Sequence, residues 1–226
     1  ILDIKSANGC TLELSNGDKI LDFTSGIGVL ALGHNHKKII DVERKFQDLN
    51  IIDTQKFGPN KLQAALAYNL SQLLPEDLEV SFFAVSGAES VEAAIKLSTM
   101  AKGNGAKYFI SATEGYHGKT LGALSLTDTE NFSEGFHVGL PKENTKKIEY
   151  NNIQAYKDVI AKLSKEKIIA IIIEPIQGQI VEVAKKDYLK EICAISKKNN
   201  ITVIFDEIKC GLGRSGNLFS FLDHEC

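Results

Sequence analysis

The sequence predicts an α/β fold, a mainly parallel sheet with helices on both faces, preceded by a small antiparallel N-terminal element. Three observations carry that expectation. Apolar runs of strand length recur at 80–85, Tyr108–Ala112, Ile168–Ile173 and 201–205, and segments of helical period separate some of them, as in βαβ units. The run 201–207, Ile-Thr-Val-Ile-Phe-Asp-Glu, is too short for a buried helix and rich in β-branched residues. It reads as a strand covered on both faces that delivers Asp206 to its carboxyl end. Asn16-Gly17-Asp18, between Leu12-Glu13-Leu14 and Ile20-Leu21-Asp22-Phe23, is a hairpin signal.

In order along the chain, Gly26, Gly28 and Gly33 mark 24–36 as a loop, and 37–49 resumes a helical period. Leu62, Leu66, Leu70 and Leu73 form the stripe of an amphipathic helix over 60–74, which Pro75 ends. The clearest βαβ unit is Ile168–Ile173, then a helix over 187–199, then 201–205. The stretch 142–152 is the one long polar connection and is expected to be a surface excursion.

A chain of 226 residues can bury a full core, as one large domain or a domain with an appendage. A net charge of -3 without a long run of one sign gives no electrostatic reason to expect nucleic acid or an anionic membrane as a partner. No apolar run approaches the roughly 20 residues that cross a bilayer. Cys10, Cys193, Cys210 and Cys226 form no C-x-x-C pair, and with the histidines they match no zinc spacing, so no metal site is expected. They read as free thiols of a reducing compartment, and the protein as cytoplasmic. The chain opens on Ile1 rather than Met and stops soon after a turn-rich stretch, so both ends are expected to continue in something longer.

The chemistry-bearing stretches lie at expected strand ends. Ser86-Gly87-Ala88-Glu89 follows the run 80–85 with capping-box spacing. It reads either as a well-made helix start or as a phosphate site, where Gly87 lets a ligand approach backbone N–H groups at the positive end of a helix. Gly115-Tyr116-His117-Gly118-Lys119-Thr120 follows the run Tyr108–Ala112. Tyr116 and His117 suit a flat heteroaromatic ligand, or Tyr116 packs on its own turn. Gly118-Lys119-Thr120 with Asp206-Glu207 imitates the two Walker motifs of a nucleotidase, but the first glycine of a P-loop would fall at Thr113. Glu174-Pro175-Ile176-Gln177-Gly178 brings a second carboxylate to the edge that carries Asp206. Together these supply a phosphate cradle, a ring face and an anchor for a protonated ring nitrogen, the set that pyridoxal phosphate (PLP) requires.

Over nearly its whole length the chain resembles the class III, fold-type I PLP-dependent aminotransferases. The resemblance rests on 22–28 with Leu32-Gly33-His34, on 86–94, on 116–125, on 174–178, and on Asp206-Glu207-Ile208 with 211–216. Within the family it looks most like the putrescine branch, with ornithine, acetylornithine and 4-aminobutyrate enzymes close behind. The resemblance implies a homodimer that transfers an amino group from an amine donor to a 2-oxo acid. It implies an N-terminal small-domain segment and active-site loop at 1–50, and a PLP-binding large domain at 51–226 that is incomplete at its C-terminal end. Ser86, Gly87 and Ala88 would bind the phosphate, Tyr116 would stack on the pyridine with His117 beside it, Asp206 would pair with the ring nitrogen and Glu174 would support the pocket floor.

Two positions depart from the family pattern. Lys209 stands where a glutamine usually meets the ring oxygen, so its ammonium is expected either on that side of the cofactor or turned into solvent. Gln179 replaces the usual glutamate after Gln177-Gly178. The family's Schiff-base lysine lies after the glycine-rich turn, beyond Cys226, and no lysine present matches it.

Overall fold

The computed structural model describes residues 2–50, 58, 60–75, 77–103, 105–135, 139–224 and 226. The chain divides into two compact units, Ile1–Ser81 and Phe82–Cys226.

The first unit carries an antiparallel sheet in the order β1 (Ile4–Asn8), β2 (Thr11–Leu14), β3 (Lys19–Leu21). Asn16-Gly17-Asp18 turns β2 into β3, with Gly17 at φ 91°, as the hairpin signal requires. The loop that follows is anchored by Asp22, whose Oδ2 lies 2.8 Å from His34 Nε2 and whose Oδ1 accepts the N–H groups of Thr24 and Ser25. These bonds to Thr24 and His34 hold the Asp22 carboxyl below its usual range. Helices α1 (Lys37–Asp48) and α2 (Lys61–Ser71) complete the unit, and Asn60 caps α2 by accepting from the N–H groups of Leu62 and Gln63.

The second unit is the expected parallel sheet. Helix α3 (Gly87–Lys102) precedes β4 (Tyr108–Ala112), the short α4 (Leu121–Leu126), β5 (Thr145–Ile148), α5 (Ile153–Leu163), β6 (Ile168–Ile173), α6 (Lys186–Asn199) and β7 (Thr202–Phe205). The sheet order is β5-β4-β6-β7 with every pairing parallel. All six residues of β6 are buried. Ile171 and Ile173 pack with Tyr156, Leu189 and Ile192 from α5 and α6. Ala170 and Ile172 pack with Val91 and Ile95 from α3 and with Ala123 and Leu126 from α4. A strand buried on both faces has no polar side to alternate, so its sequence is a continuous apolar run.

Three expectations are corrected. Residues 80–85 form no strand: the chain is extended there without a ladder partner among the described residues, and Val80 and Val85 are 93% and 96% exposed. The polar stretch 142–152 is no mere excursion, because Thr145–Ile148 is edge strand β5, where only Ile148 is buried. Cys193 and Cys226 are not free thiols but a disulfide, with Cα atoms 5.5 Å apart across 33 residues. The chain after β7 returns over α6, a proximity that sequence spacing does not report. Cys10 and Cys210 are free. Among the described residues no helix is long and apolar enough to cross a membrane, and no cluster of side chains has the makings of a metal site.

Candidate active site

Because β4, β6 and β7 are parallel, the residues that follow them emerge at one edge. That edge receives 115–119 from β4, Glu174 from β6 and Asp206 from β7. In open α/β sheets, ligands bind at this carboxyl edge.

Four close approaches draw the stretches together. His117 Nδ1 lies 2.7 Å from Asp206 Oδ2, both side chains being buried. Glu174 accepts the N–H of Tyr116 through Oε2 at 3.0 Å and that of Gly178 through Oε1 at 2.8 Å. A Cβ on Gly87 would lie 2.8 Å from Ile208, which places the start of α3 against the turn after Asp206. A Cβ on Gly118 would lie 2.8 Å from that of Ala88, so the loop after β4 rests on the same first turn of α3.

The helix start is the capping box that the sequence spells. Ser86 Oγ accepts the Glu89 N–H at 3.3 Å and Glu89 Oε2 accepts the Ser86 N–H at 3.1 Å. The N–H groups of Gly87 and Ala88 meet no acceptor among the described residues.

Asp206 is buried, with Oδ1 accepting the Ile208 N–H at 3.1 Å. His117 donates its N–H to Thr127 Oγ1 at 2.9 Å, and its buried Nε2 has no partner. Burial pushes the Glu174 carboxyl above its usual range, opposed by the Gly178 and Tyr116 N–H groups. The Tyr116 ring meets Phe132 edge-on, with centroids 5.9 Å apart. Lys209 is exposed, yet its ammonium is tied to the Gly178 carbonyl at 2.8 Å rather than loose in solvent.

All of the site residues expected from sequence except Lys209 thus sit in this network, and Lys209 borders it through Gly178. The nucleotidase alternative gains no support, since Lys119 Nζ lies 4.0 Å over the Phe132 ring. Sequence reasoning missed Glu92, whose Oε1 accepts from Thr120 Oγ1 and from the N–H groups of Gly122 and Ala123, fixing the far end of the Tyr116 loop. Its position one helical turn beyond Ala88 was the available signal. It also missed Thr127, which no local pattern marks.

A parallel sheet whose strand ends gather an exposed helix start, an aromatic loop and a buried carboxylate defines a cofactor-binding α/β protein. The family model described as aminotransferase class-III matches residues 1–225, and the chain belongs to that family. It is 37% identical over 211 residues to the acetylornithine aminotransferase of Methanocaldococcus jannaschii, covering 91% of this chain and 51% of that protein. The putrescine aminotransferase of Pectobacterium atrosepticum is 35% identical over 215 residues, with coverages of 93% and 45%. The structure superposes with a TM-score of 0.91 on the (S)-enantioselective omega-transaminase of Thermomicrobium roseum, at 26% identity, covering all of this chain and 55% of that one. The chain spans about half the length of the curated relatives it matches.

Proposed function

We propose that the protein is a PLP-dependent aminotransferase. In this reading it moves an amino group from an ω-amine or ω-amino acid, of the putrescine, ornithine, acetylornithine or 4-aminobutyrate type, to a 2-oxo acid. The observation that carries the proposal is the convergence of Gly87, Ala88, Tyr116, His117, Glu174 and Asp206 at one sheet edge. Enzymes of the class-III family work with PLP.

The residues fit that group. Gly87 and Ala88 present unused N–H groups where the helix dipole favours an anion, which suits a phosphate. Asp206 spends two of a carboxylate's four lone-pair positions, on His117 and Ile208, and keeps capacity for a protonated ring nitrogen. When bound, PLP supplies an aldehyde to take the amino group and a ring to delocalise the electron pair left by a departing proton.

The chain's part is to hold and orient. Asp206 would hold a proton on the ring nitrogen of the bound group. His117 fixes the angle of Asp206, and Glu174 fixes the backbone of Tyr116, whose ring would then be available to flank that group. Lys209 adds a positive charge beside the site.

The reading extends to a homodimer, supported by exposed apolar side chains such as Phe23, Ile27 and Val29 in the first unit. It also extends to a cytoplasmic location, where the Cys193–Cys226 pair would be held reduced; trapping the two thiols in intact cells checks it, and finding the disulfide there would count against that location. The direct test is spectroscopic. The longest natural form of the protein, mixed with PLP, should gain a visible band that shifts when putrescine or acetylornithine is added. A preparation that stays colourless beside added PLP would sink the proposal.

A further inference from the structure

Thr127 ends α4 and is buried, yet its hydroxyl serves residues outside that helix. Oγ1 accepts the His117 N–H at 2.9 Å and lies 3.0 Å from the Gly118 carbonyl and 3.2 Å from the Ala123 carbonyl. A threonine in a helix ordinarily bonds back to the carbonyl four residues earlier, here that of Ala123. That carbonyl already accepts the Thr127 N–H at 3.1 Å, so the helix closes without the hydroxyl. His117 has no such substitute, because its N–H meets no other acceptor among the described residues.

His117 and Gly118 face opposite ends of the site. The His117 ring carries Nδ1 to Asp206, whose remaining lone pairs suit a protonated ring nitrogen. Its buried Nε2 has no partner, so the polar anchors of His117 are Asp206 at the ring and Thr127 at the backbone. Gly118, at φ 126°, rests on Ala88, where an added Cβ would come within 2.8 Å of the Ala88 Cβ. Ala88 belongs to the helix start whose unused N–H groups suit a phosphate. A hydroxyl can accept and donate at once. The Thr127 hydroxyl accepts from the residue that steers Asp206 and donates to the residue that backs Ala88.

We propose that Thr127 is a positioning residue that ties the ring-nitrogen end of the site to its phosphate end. It acts through His117 and Gly118 and not by contact with the bound group. The proposal deepens the aminotransferase reading and rests on it, because the two ends matter together to a ligand that carries both a phosphate and a basic ring nitrogen.

The test uses the longest natural form of the protein and pyridoxine 5′-phosphate, which keeps the phosphate and ring nitrogen of PLP and lacks the aldehyde. Absorbance reads both its binding and the protonation of its ring. Thr127→Val keeps the shape and loses the hydroxyl, whereas Thr127→Ser keeps the hydroxyl and loses a methyl group. Thr127→Val should bind about tenfold more weakly, the loss expected when a buried N–H is left unpaired. Its bound ring should also give up the proton at a lower pH than in the wild type, since a less well aimed Asp206 holds that proton less firmly. His117, Glu174 and Asp206, the titratable groups of the site, are the same in every variant. Thr127→Ser should recover most of both effects. A residue that merely supports the fold would lower the melting temperature without moving the ring titration. An unmoved ring titration in Thr127→Val therefore overturns the proposal, and so does a Thr127→Ser that fails as Thr127→Val does. If a melting curve shows Thr127→Val unfolded, Thr127→Cys carries the test, its thiol being a weaker hydrogen-bonding group than a hydroxyl. Weaker binding with a lower ring midpoint then supports the proposal, and wild-type values overturn it. A wild type that takes up neither pyridoxine 5′-phosphate nor PLP removes the aminotransferase reading and this proposal with it. A wild type that binds, beside a Thr127→Val that binds and titrates equally, removes this proposal alone.

Discussion

His117 Nδ1 stands 2.7 Å from Asp206 Oδ2 across 89 residues of sequence, with side-chain exposures of 1% and 4%. The pair is the tightest link between the loop after β4 and the end of β7. His117→Phe keeps a ring of similar size but removes the partner of a buried carboxylate oxygen. Leaving such a group unpaired costs about 1–3 kcal/mol. Denaturant titration should show a loss of that size together with weaker PLP binding. Unchanged stability would mean that Asp206 finds another donor.

Glu174 gives the protein a pH dependence with a definite sign. Burial raises its folded pKa above the ordinary carboxylate value. The folded state therefore holds the proton more tightly than the unfolded state. The stability from this group is fully present below the unfolded pKa and is lost as pH rises through the folded one. Glu174→Gln cannot titrate. Measured across that window, the wild type should lose ground against the variant as pH rises, whatever the fixed cost of placing an amide beside the Gly178 and Tyr116 N–H groups. Parallel curves for the two proteins would contradict the raised pKa.

Gly122 has no room for a side chain, since a Cβ there would lie 2.2 Å from Glu92 Oε2. Glu92 cannot swing aside without giving up Thr120, Gly122 and Ala123, all bonded to its Oε1. Gly122→Ala should cost about 1–3 kcal/mol, the usual range for overpacking. The same substitution in a Glu92→Ala background should cost less, because the obstructing carboxylate is gone. A double-mutant cycle by chemical denaturation reads the coupling, and strict additivity would show that the two residues act independently.

What the sequence revealed follows from how each segment is buried. The central strand β6 is covered on both faces, so Ile168–Ile173 is apolar throughout and legible at sight. The edge strand β5 reads Thr-Lys-Lys-Ile, and its Lys147 buries a long stem while its ammonium reaches the Leu126 carbonyl. Such a strand looks like a loop. Residues 80–85 mislead in the opposite direction, because an apolar run says nothing about whether a neighbour exists to pair with it. The site divides in the same way. Asp206, Glu174 and the Ser86–Glu89 capping box are read from local spacing, since strand ends and helix starts are local events. The partners that complete them lie 89, 58 and 28 residues away, as with His117 to Asp206, Tyr116 to Glu174 and Glu92 to Thr120, and only the folded sheet brings them together.

The disulfide between Cys193 and Cys226 offers the last prediction. Cys193 lies within α6, and Cys226 is carried back to it by the segment that leaves β7. That segment is already held at its middle, where the Phe221 ring stacks on Phe205 with centroids 5.2 Å apart and the Phe221 N–H reaches Glu207. The cross-link therefore closes a loop spanning 33 residues whose native geometry other contacts also favour. Constraining a loop of that length in the unfolded chain is worth about 2–4 kcal/mol. Under non-reducing conditions Cys193→Ser should lose stability of that order relative to the wild type. Adding dithiothreitol should bring the wild type down towards the variant and leave the variant where it was. A wild type that melts at the same temperature with and without reductant would show that the pair contributes nothing to stability in solution.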